Sequence, residues 1–283
     1  MTEIWTLLRL LRWTTDYFAE KGIDNPRLDA ELLLAHVLEL DRVGLYLNFE
    51  RPLNAVELDA IRPLVKRRGQ REPLQYLLGQ TEFWSLPIEV SPEVLIPRAD
   101  TEILVEEALN RADADTGELL DVGTGSGAIA VSLASELVDW QVTALDISPA
   151  ALKIARRNAE KNGVAGRLQF LHADLVSLPQ QQYDLIVSNP PYISQSEWDD
   201  LMPEVRCFEP KAALLAEEEG LVCYRRLAEQ AKDRLKPNGW LLVEIGYRQA
   251  EAVQQLFVAA GLQDVFVRDD YAGQPRVVGG CSK

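Results

Sequence analysis

Apolar positions recur at helical spacing through the first stretch of the chain. Ile4, Leu7, Leu8 and Leu11 fall on one helix face. Asn25-Pro26 reads as an N-cap followed by a proline in the first turn of PRLDAELLLAHVLEL. Asn54 reads as the cap of AVELDAIRPLVKRRG, in which Pro63 predicts a kink. No strand alternation and no chemical motif interrupts this region, so residues 1–75 are expected to form a small all-α domain. Residues 76–99 read as a proline-punctuated linker, in which FWSLPIEVSPEVLIP suggests two short strands forming a hairpin.

From Asp100, read as the cap of TEILVEEALNRA, the pattern changes. Apolar runs (ELLDV, QVTALD, LQFLHAD, YDLIVSN, GWLLVEIG) alternate with amphipathic helical stretches through residues 100–283. That alternation predicts an α/β domain with a mostly parallel sheet covered on both faces. The tail DVFVRDDYAGQPRVVGG gives two more runs joined by a short turn. Two strands that close cannot both be parallel without a crossover, so one of them is expected to be antiparallel.

Composition narrows the functional classes. The formal net charge of −15 disfavours a protein that grips nucleic acid through its phosphates. The charge is uneven, with a net of −2 through Ser85 and −13 beyond it. Arg62, Lys66, Arg67, Arg68 and Arg71 make one locally basic stretch. It reads as a solvated helix end, where cations suit the dipole, with a partner-facing patch as the alternative. Three cysteines without CxxC spacing and two histidines far apart in sequence indicate neither a disulfide framework nor a metal site. This usage suits a reducing, cytoplasmic setting. The N-terminus lacks a signal peptide pattern. No apolar run reaches the roughly 20 residues needed to span a bilayer, so no membrane association is expected.

LLDVGTGSGAIAV is a strand, a glycine-rich turn and a helix start. Gly123, Gly125 and Gly127 let the backbone turn tightly and approach a ligand. Asp146 follows Gly127 by 19 residues, at the end of the next strand, placed to accept from ribose hydroxyls. The spacing is G-x-G-x-G with Asp121 just ahead, not the G-x-G-x-x-G of many oxidoreductases. A methyl donor carries an amino acid part whose ammonium suits Asp121, so the loop favours S-adenosyl-L-methionine over a nicotinamide dinucleotide. Asp174 closes the third strand, where it is placed to accept from an adenine amino group, with Leu175 beside it to pack on the adenine face. A plain surface Asp is the alternative there. Thr124, Ser126 and Ile147 complete the candidate cofactor-binding set.

The fourth strand ends in Asn189-Pro190-Pro191-Tyr192. Two prolines remove two backbone donors, so this corner presents carbonyls as pure acceptors. With the Asn189 side-chain oxygen, which also places Asn189 beside the cofactor, they match a planar –NH2 group, and Tyr192 offers that group a flat face. An amide or aromatic amine has a delocalised lone pair and needs alignment and charge stabilisation more than a strong base.

A strand followed by Asn-Pro-Pro-Tyr resembles the amino-methyltransferases that act on adenine, cytosine or glutamine nitrogen. LIPRADTE, LDVGTGSGAIA, VSNPPYI, FEPKAAL, LKPNGWLLVEIG and DYAGQPRVVGG together resemble the release factor glutamine methyltransferase family, also called the HemK or PrmC type, over essentially the whole chain. The resemblance implies a Rossmann-like class I methyltransferase fold, a mostly parallel seven-stranded sheet, and the helical N-terminal domain fits it. Because that domain carries no chemistry yet precedes a complete catalytic domain, it is expected to recognise substrate. The resemblance also implies methylation of the side-chain nitrogen of the Gln in the Gly-Gly-Gln loop of peptide chain release factors. Ala99 stands where a second proline is common, and LLAEEEGL replaces a more glycine-rich stretch. Methylation of a ribosomal protein glutamine, or of adenine in nucleic acid with a flipped base, are the alternatives. A non-catalytic release factor-binding module and a nicotinamide oxidoreductase are disfavoured by the intact corner and by the glycine spacing.

Overall fold

A computed structural model describes residues 4–175 and 178–283. The chain forms two compact units, residues 1–79 with 202–208, and residues 80–201 with 209–283.

The first unit is helical: α1 (Leu7–Glu20), α2 (Pro26–Leu38), α3 (Arg42–Leu47), α4 (Ala55–Gly69) and α5 (Leu74–Leu78). Leu7, Leu11 and Phe18 of α1 are fully or almost fully buried, as their spacing requires, against Leu33, Leu34, Leu45 and Ile61. Thr6 caps α1, and Asn54 caps α4 in a reciprocal box with Glu57. Asn25 differs from expectation. It stands at the N-cap of α2 but makes no side-chain cap hydrogen bond, and the helix starts on Pro26, whose fixed φ is already helical. Pro63 lies inside α4, which runs on past it to Gly69.

The second unit opens with the hairpin β1 (Gln80–Phe83) and β2 (Leu86–Glu89), paired antiparallel. Its two-residue turn, Trp84-Ser85, has φ of 53° and 57°, the left-handed pair that matches the twist of the flanking strands. The second strand falls within FWSLPIEVSPEVLIP, and the proline-bearing remainder of that stretch is irregular. Asp100 does not cap the next helix. It lies in a 3-10 turn, Ala99–Thr101, ahead of α6 (Glu102–Leu109), and its carboxylate pairs with Arg276 at 3.1 Å.

The sheet follows: β3 (Glu118–Val122), α7 (Ala128–Glu136), β4 (Gln141–Asp146), α8 (Pro149–Lys161), β5 (Leu168–His172) and β6 (Tyr183–Ser188). Then come α9 (Pro203–Phe208), which belongs to the helical unit, and, back in the sheet unit, the short turn α10 (Glu217–Gly220), α11 (Val222–Arg234), β7 (Leu235–Glu244), α12 (Ala250–Ala259), β8 (Gln263–Asp269) and β9 (Pro275–Cys281). Strand order is β5-β4-β3-β6-β7-β9-β8, and β9 is antiparallel to both its neighbours. Successive strands step outward from β3 to β5, and the chain then returns to lay β6 on the other side of β3. Such a reversal opens a crevice beyond the carboxyl ends of β3 and β6, where open α/β sheets bind ligands.

Candidate functional site

The turn after β3 is pinned to β4, because Gly123 and Thr124 both donate to the carbonyl of Leu145 at 2.9 Å. Asp146, at the end of β4, completes the fastening. Its Oδ2 accepts from the Gly125 amide and its Oδ1 from the Ser148 amide, each at 2.8 Å. Burial raises the Asp146 carboxyl above its usual range, against the opposing pull of those two amides. A carboxylate has about four acceptor directions, more than these backbone amides use, so Asp146 both holds the loop and retains capacity to take a ribose hydroxyl.

Across the reversal, Ser188 at the end of β6 donates through Oγ to the Val122 carbonyl at 2.7 Å. The Asn189-Pro190-Pro191 corner therefore stands beside the glycine turn. Behind it, the Gln249 amide donates to the Tyr192 carbonyl at 3.1 Å. Gly220 is required there, since a Cβ at 220 would meet that carbonyl at 2.1 Å.

Between turn and corner lies a cavity of about 320 Å3. Of the expected residues, Gly123, Gly125, Asp146, Ile147, Asp174, Leu175, Asn189, Pro190 and Pro191 line it. A side chain added at Gly123 would meet nothing within 4 Å, so bare backbone faces open space that a ligand can fill. Val94, Leu95 and Ala151 add apolar wall. A bare glycine turn, the carboxylates of Glu93, Asp146 and Asp174 and an apolar wall fit a nucleoside carrying an amino acid arm.

The other expected residues sit elsewhere. Asp121, Thr124 and Ser126 are buried and do not line the cavity. The Asp121 carboxyl is wholly buried, accepts from the Thr124 hydroxyl at 2.6 Å, and has Oδ1 unpartnered. Burial pushes it up to about 7. Asp121 thus stiffens the turn through Thr124 and is not placed to meet an ammonium in this conformation. Gly127 has φ of 82° and lies against α8, where an added Cβ would stand 2.9 Å from the Ala155 Cβ. It serves helix packing instead of ligand approach. Tyr192 is absent from the cavity lining and packs on the sheet core, its phenol pushed up to about 12 by burial. The flat face expected of it is turned inward. His172 ends β5, and its Nε2 hydrogen-bonds the Ile147 carbonyl at 2.9 Å.

The basic stretch also departs in part from what its sequence suggests. Arg68 is buried, bonded to Asp29 at 2.7 Å and Glu204 at 3.1 Å. Arg71 pairs with Glu204 at 2.7 Å, and Arg67 is taken by Glu72. Arg68 and Arg71 are thus internal fasteners of the helical unit, while Arg62, Lys66 and Arg67 stay exposed, the last two in the final turn of α4, as a solvated helix end would have them.

Two family models match the chain: the PrmC N-terminal domain over residues 9–79 and the methyltransferase small domain over residues 99–220. The release factor glutamine methyltransferase of Geobacter sulfurreducens is 51% identical over 279 residues, covering 98% of this chain and 97% of that protein. The chain belongs to the release factor glutamine methyltransferase family. The family's protein from Chlorobaculum tepidum is 44% identical over 280 residues, 95% of each chain. In fold, the chain is similar to a methyltransferase from Pyrococcus furiosus, with a TM-score of 0.53 at 20% identity over 69% of this chain and 88% of that one.

Several residues of this family member's site escaped sequence reasoning. Pro210, Ala212 and Ala213 of FEPKAAL line the cavity. Glu209 explains why, as its carboxylate takes the Ile96 amide at 3.2 Å and the Arg98 guanidinium, tying LIPR to FEPKAAL. Glu244 was missed too. It is a lone carboxylate closing an apolar strand at the same rim as Asn189, which was the available signal.

Proposed function

We propose that this chain transfers a methyl group from S-adenosyl-L-methionine to the side-chain amide nitrogen of a glutamine in peptide chain release factors. The observation that carries this reading is one cavity walled on one side by the glycine turn with Asp146 and on the other by the Asn189-Pro190-Pro191 corner. Gly123, Gly125, Asp146, Ile147, Asp174 and Leu175 hold the cofactor, which supplies an electrophilic methyl on a sulfonium. Asn189 Oδ1 and the carbonyls of the corner hold the two hydrogens of the glutamine amide. That fixes the nitrogen in line and offsets the positive charge that grows on it as the new bond forms. The proton is lost from nitrogen after transfer, so no strong base has to act first. The helical unit serves substrate recognition by adding contact area that a mobile loop lacks. The setting is cytoplasmic. Among the described residues, no helix is long and apolar enough to cross a membrane.

The test is to incubate the protein with methyl-labelled S-adenosylmethionine and, separately, a release factor, ribosomal proteins and adenine-containing DNA. Label is expected on the release factor, at the Gln of its Gly-Gly-Gln loop. Label on DNA or ribosomal protein alone overturns the assignment. Asn189→Ala should lower kcat by ~100-fold and leave cofactor affinity nearly unchanged. Near-normal turnover would remove the acceptor corner from the mechanism.

A further inference from the structure

β7 runs through Trp240, Leu241, Leu242 and Val243 and ends on a carboxylate, Glu244, only 1% exposed. The parallel register sets Ser188 beside Val243, so the next residues, Asn189 and Glu244, emerge side by side. Thr101, itself buried, stands with them. Asn189 Nδ2 donates to Thr101 Oγ1 at 3.2 Å, and both Thr101 and Asn189 hydrogen-bond the Glu244 carboxylate. Glu244 Oε2 has no partner. The site already described gives this carboxylate no task.

An ionised carboxylate only accepts, and a threonine hydroxyl has one hydrogen to give. With that hydrogen directed at Glu244, Thr101 can only accept from Asn189. Asn189 must then turn its NH2 inward, which leaves Oδ1 pointing toward the cavity. We propose that Glu244, acting both directly on the Asn189 NH2 and through Thr101, is the positioning residue that keeps the Asn189 amide oxygen facing the substrate nitrogen. This rests on the assignment of Asn189 as the amide acceptor.

The surroundings make the device sensitive to pH. Burial pushes the Glu244 carboxyl up to about 7, against hydrogen bonds from Thr101 and Asn189 and the charge of Arg276. Arg276 is itself engaged with Asp270 at 2.9 Å and Asp100 at 3.1 Å. Asp100 repels the ionised form, and the phenols of Tyr192 and Tyr224 face it as well, Tyr224 donating to the Glu244 backbone carbonyl at 3.0 Å. When protonated, Glu244 can itself donate to Thr101. The threonine hydrogen is then free to meet Asn189 Oδ1, and the amide is no longer held one way round. The ionised form is the productive one, so kcat falls as pH drops through about 7.

The test uses the full-length protein with a release factor and S-adenosylmethionine, reading kcat against pH, KM for release factor, and cofactor affinity by calorimetry. Glu244→Gln should lower kcat by roughly 10- to 100-fold, the scale expected for a misplaced reacting group. It should leave cofactor affinity unchanged and abolish the acid limb seen in the parent. Thr101→Val should reproduce the loss, and Thr101→Ser, which restores the hydroxyl, should recover most of it. This pair decides the matter if Glu244→Gln fails to fold. Asn189→Ala runs in parallel. If it retains turnover, the acceptor corner falls and the positioning with it. If it loses turnover while Glu244→Gln and Thr101→Val keep normal kcat and the parent acid limb, only the positioning is overturned.

Discussion

In the helical unit, Arg68 is buried between Asp29 and Glu204, and Glu31 is buried among Arg27, Arg42 and Tyr46. In the sheet unit, Asp121 and Glu244 are buried as deeply, yet each keeps one carboxylate oxygen without a partner. The consequence shows in their acidities. Burial acts to raise the Glu31 carboxyl, but hydrogen bonds from Tyr46, Arg27 and Arg42 outweigh it and hold the group below its usual range. Asp121 and Glu244 have weaker compensation and are pushed up to about 7. In the first arrangement the hydrogen-bonded partners offset much of the cost of burying charge. The second costs stability and persists where a site uses it.

The sharpest way to break the paired arrangement is Arg68→Ala. It leaves Asp29 without its buried partner and weakens the hold on Glu204, and should cost about 3–5 kcal/mol in denaturant unfolding. A loss near that of a surface mutation would mean the cluster is not internal. Asp146→Ala removes a buried carboxylate that is satisfied by backbone amides. Cofactor affinity should fall by ~1.5–3 kcal/mol, part of it through the freed Gly125, and unchanged affinity by calorimetry would remove Asp146 from the site. Asp121→Asn sharpens the other half of the comparison. Its folded pKa is raised from the ordinary 3.8 to about 7, so the folded state binds the extra proton between those values and stability falls as pH rises through that window. The variant should therefore melt above the parent at pH 8, with the gap closing toward pH 4. A gap independent of pH would show that Asp121 is not buried as a proton-holding group. Arg62→Ala should matter least. Its pair with Asp59 is exposed on both sides, and the change should stay within ~0.5 kcal/mol.

What could be read in advance follows the same division. Periodicity and the glycine turn act locally, so the helices, the mostly parallel sheet with its antiparallel strand, and the wall residues Gly123, Gly125, Asp146, Asn189, Pro190 and Pro191 were legible. The hairpin was expected but its turn was not located, because Trp84 and Ser85 hold left-handed φ without the Asn-Gly signal. Trp84 is fixed there from outside, its amide donating to Glu102 and its indole to Glu136, each at 2.8 Å. Arg68 and Arg71 departed from the solvated helix end expected of the basic stretch because their partners Asp29 and Glu204 are far from them in sequence. Asp121, Thr124, Gly127 and Tyr192 were placed on the right loops, but which way each side chain faces is decided by packing that spacing does not encode.

The short helix α9 belongs with the helical unit although the residues flanking it belong to the sheet unit. Its Glu204 closes the cluster around Arg68 and Arg71, 133 positions after Arg71. A ribosome adding ~5–20 residues per second needs on the order of ten seconds to make that connecting stretch. The N-terminal helices therefore emerge with Arg71 awaiting its carboxylate and Arg68 held by Asp29 alone, and their unit reaches its final charge balance only after most of the sheet has been synthesised. A truncation at residue 79 would separate the same partners permanently, so the helical unit is N-terminal in most of its residues but not a detachable module.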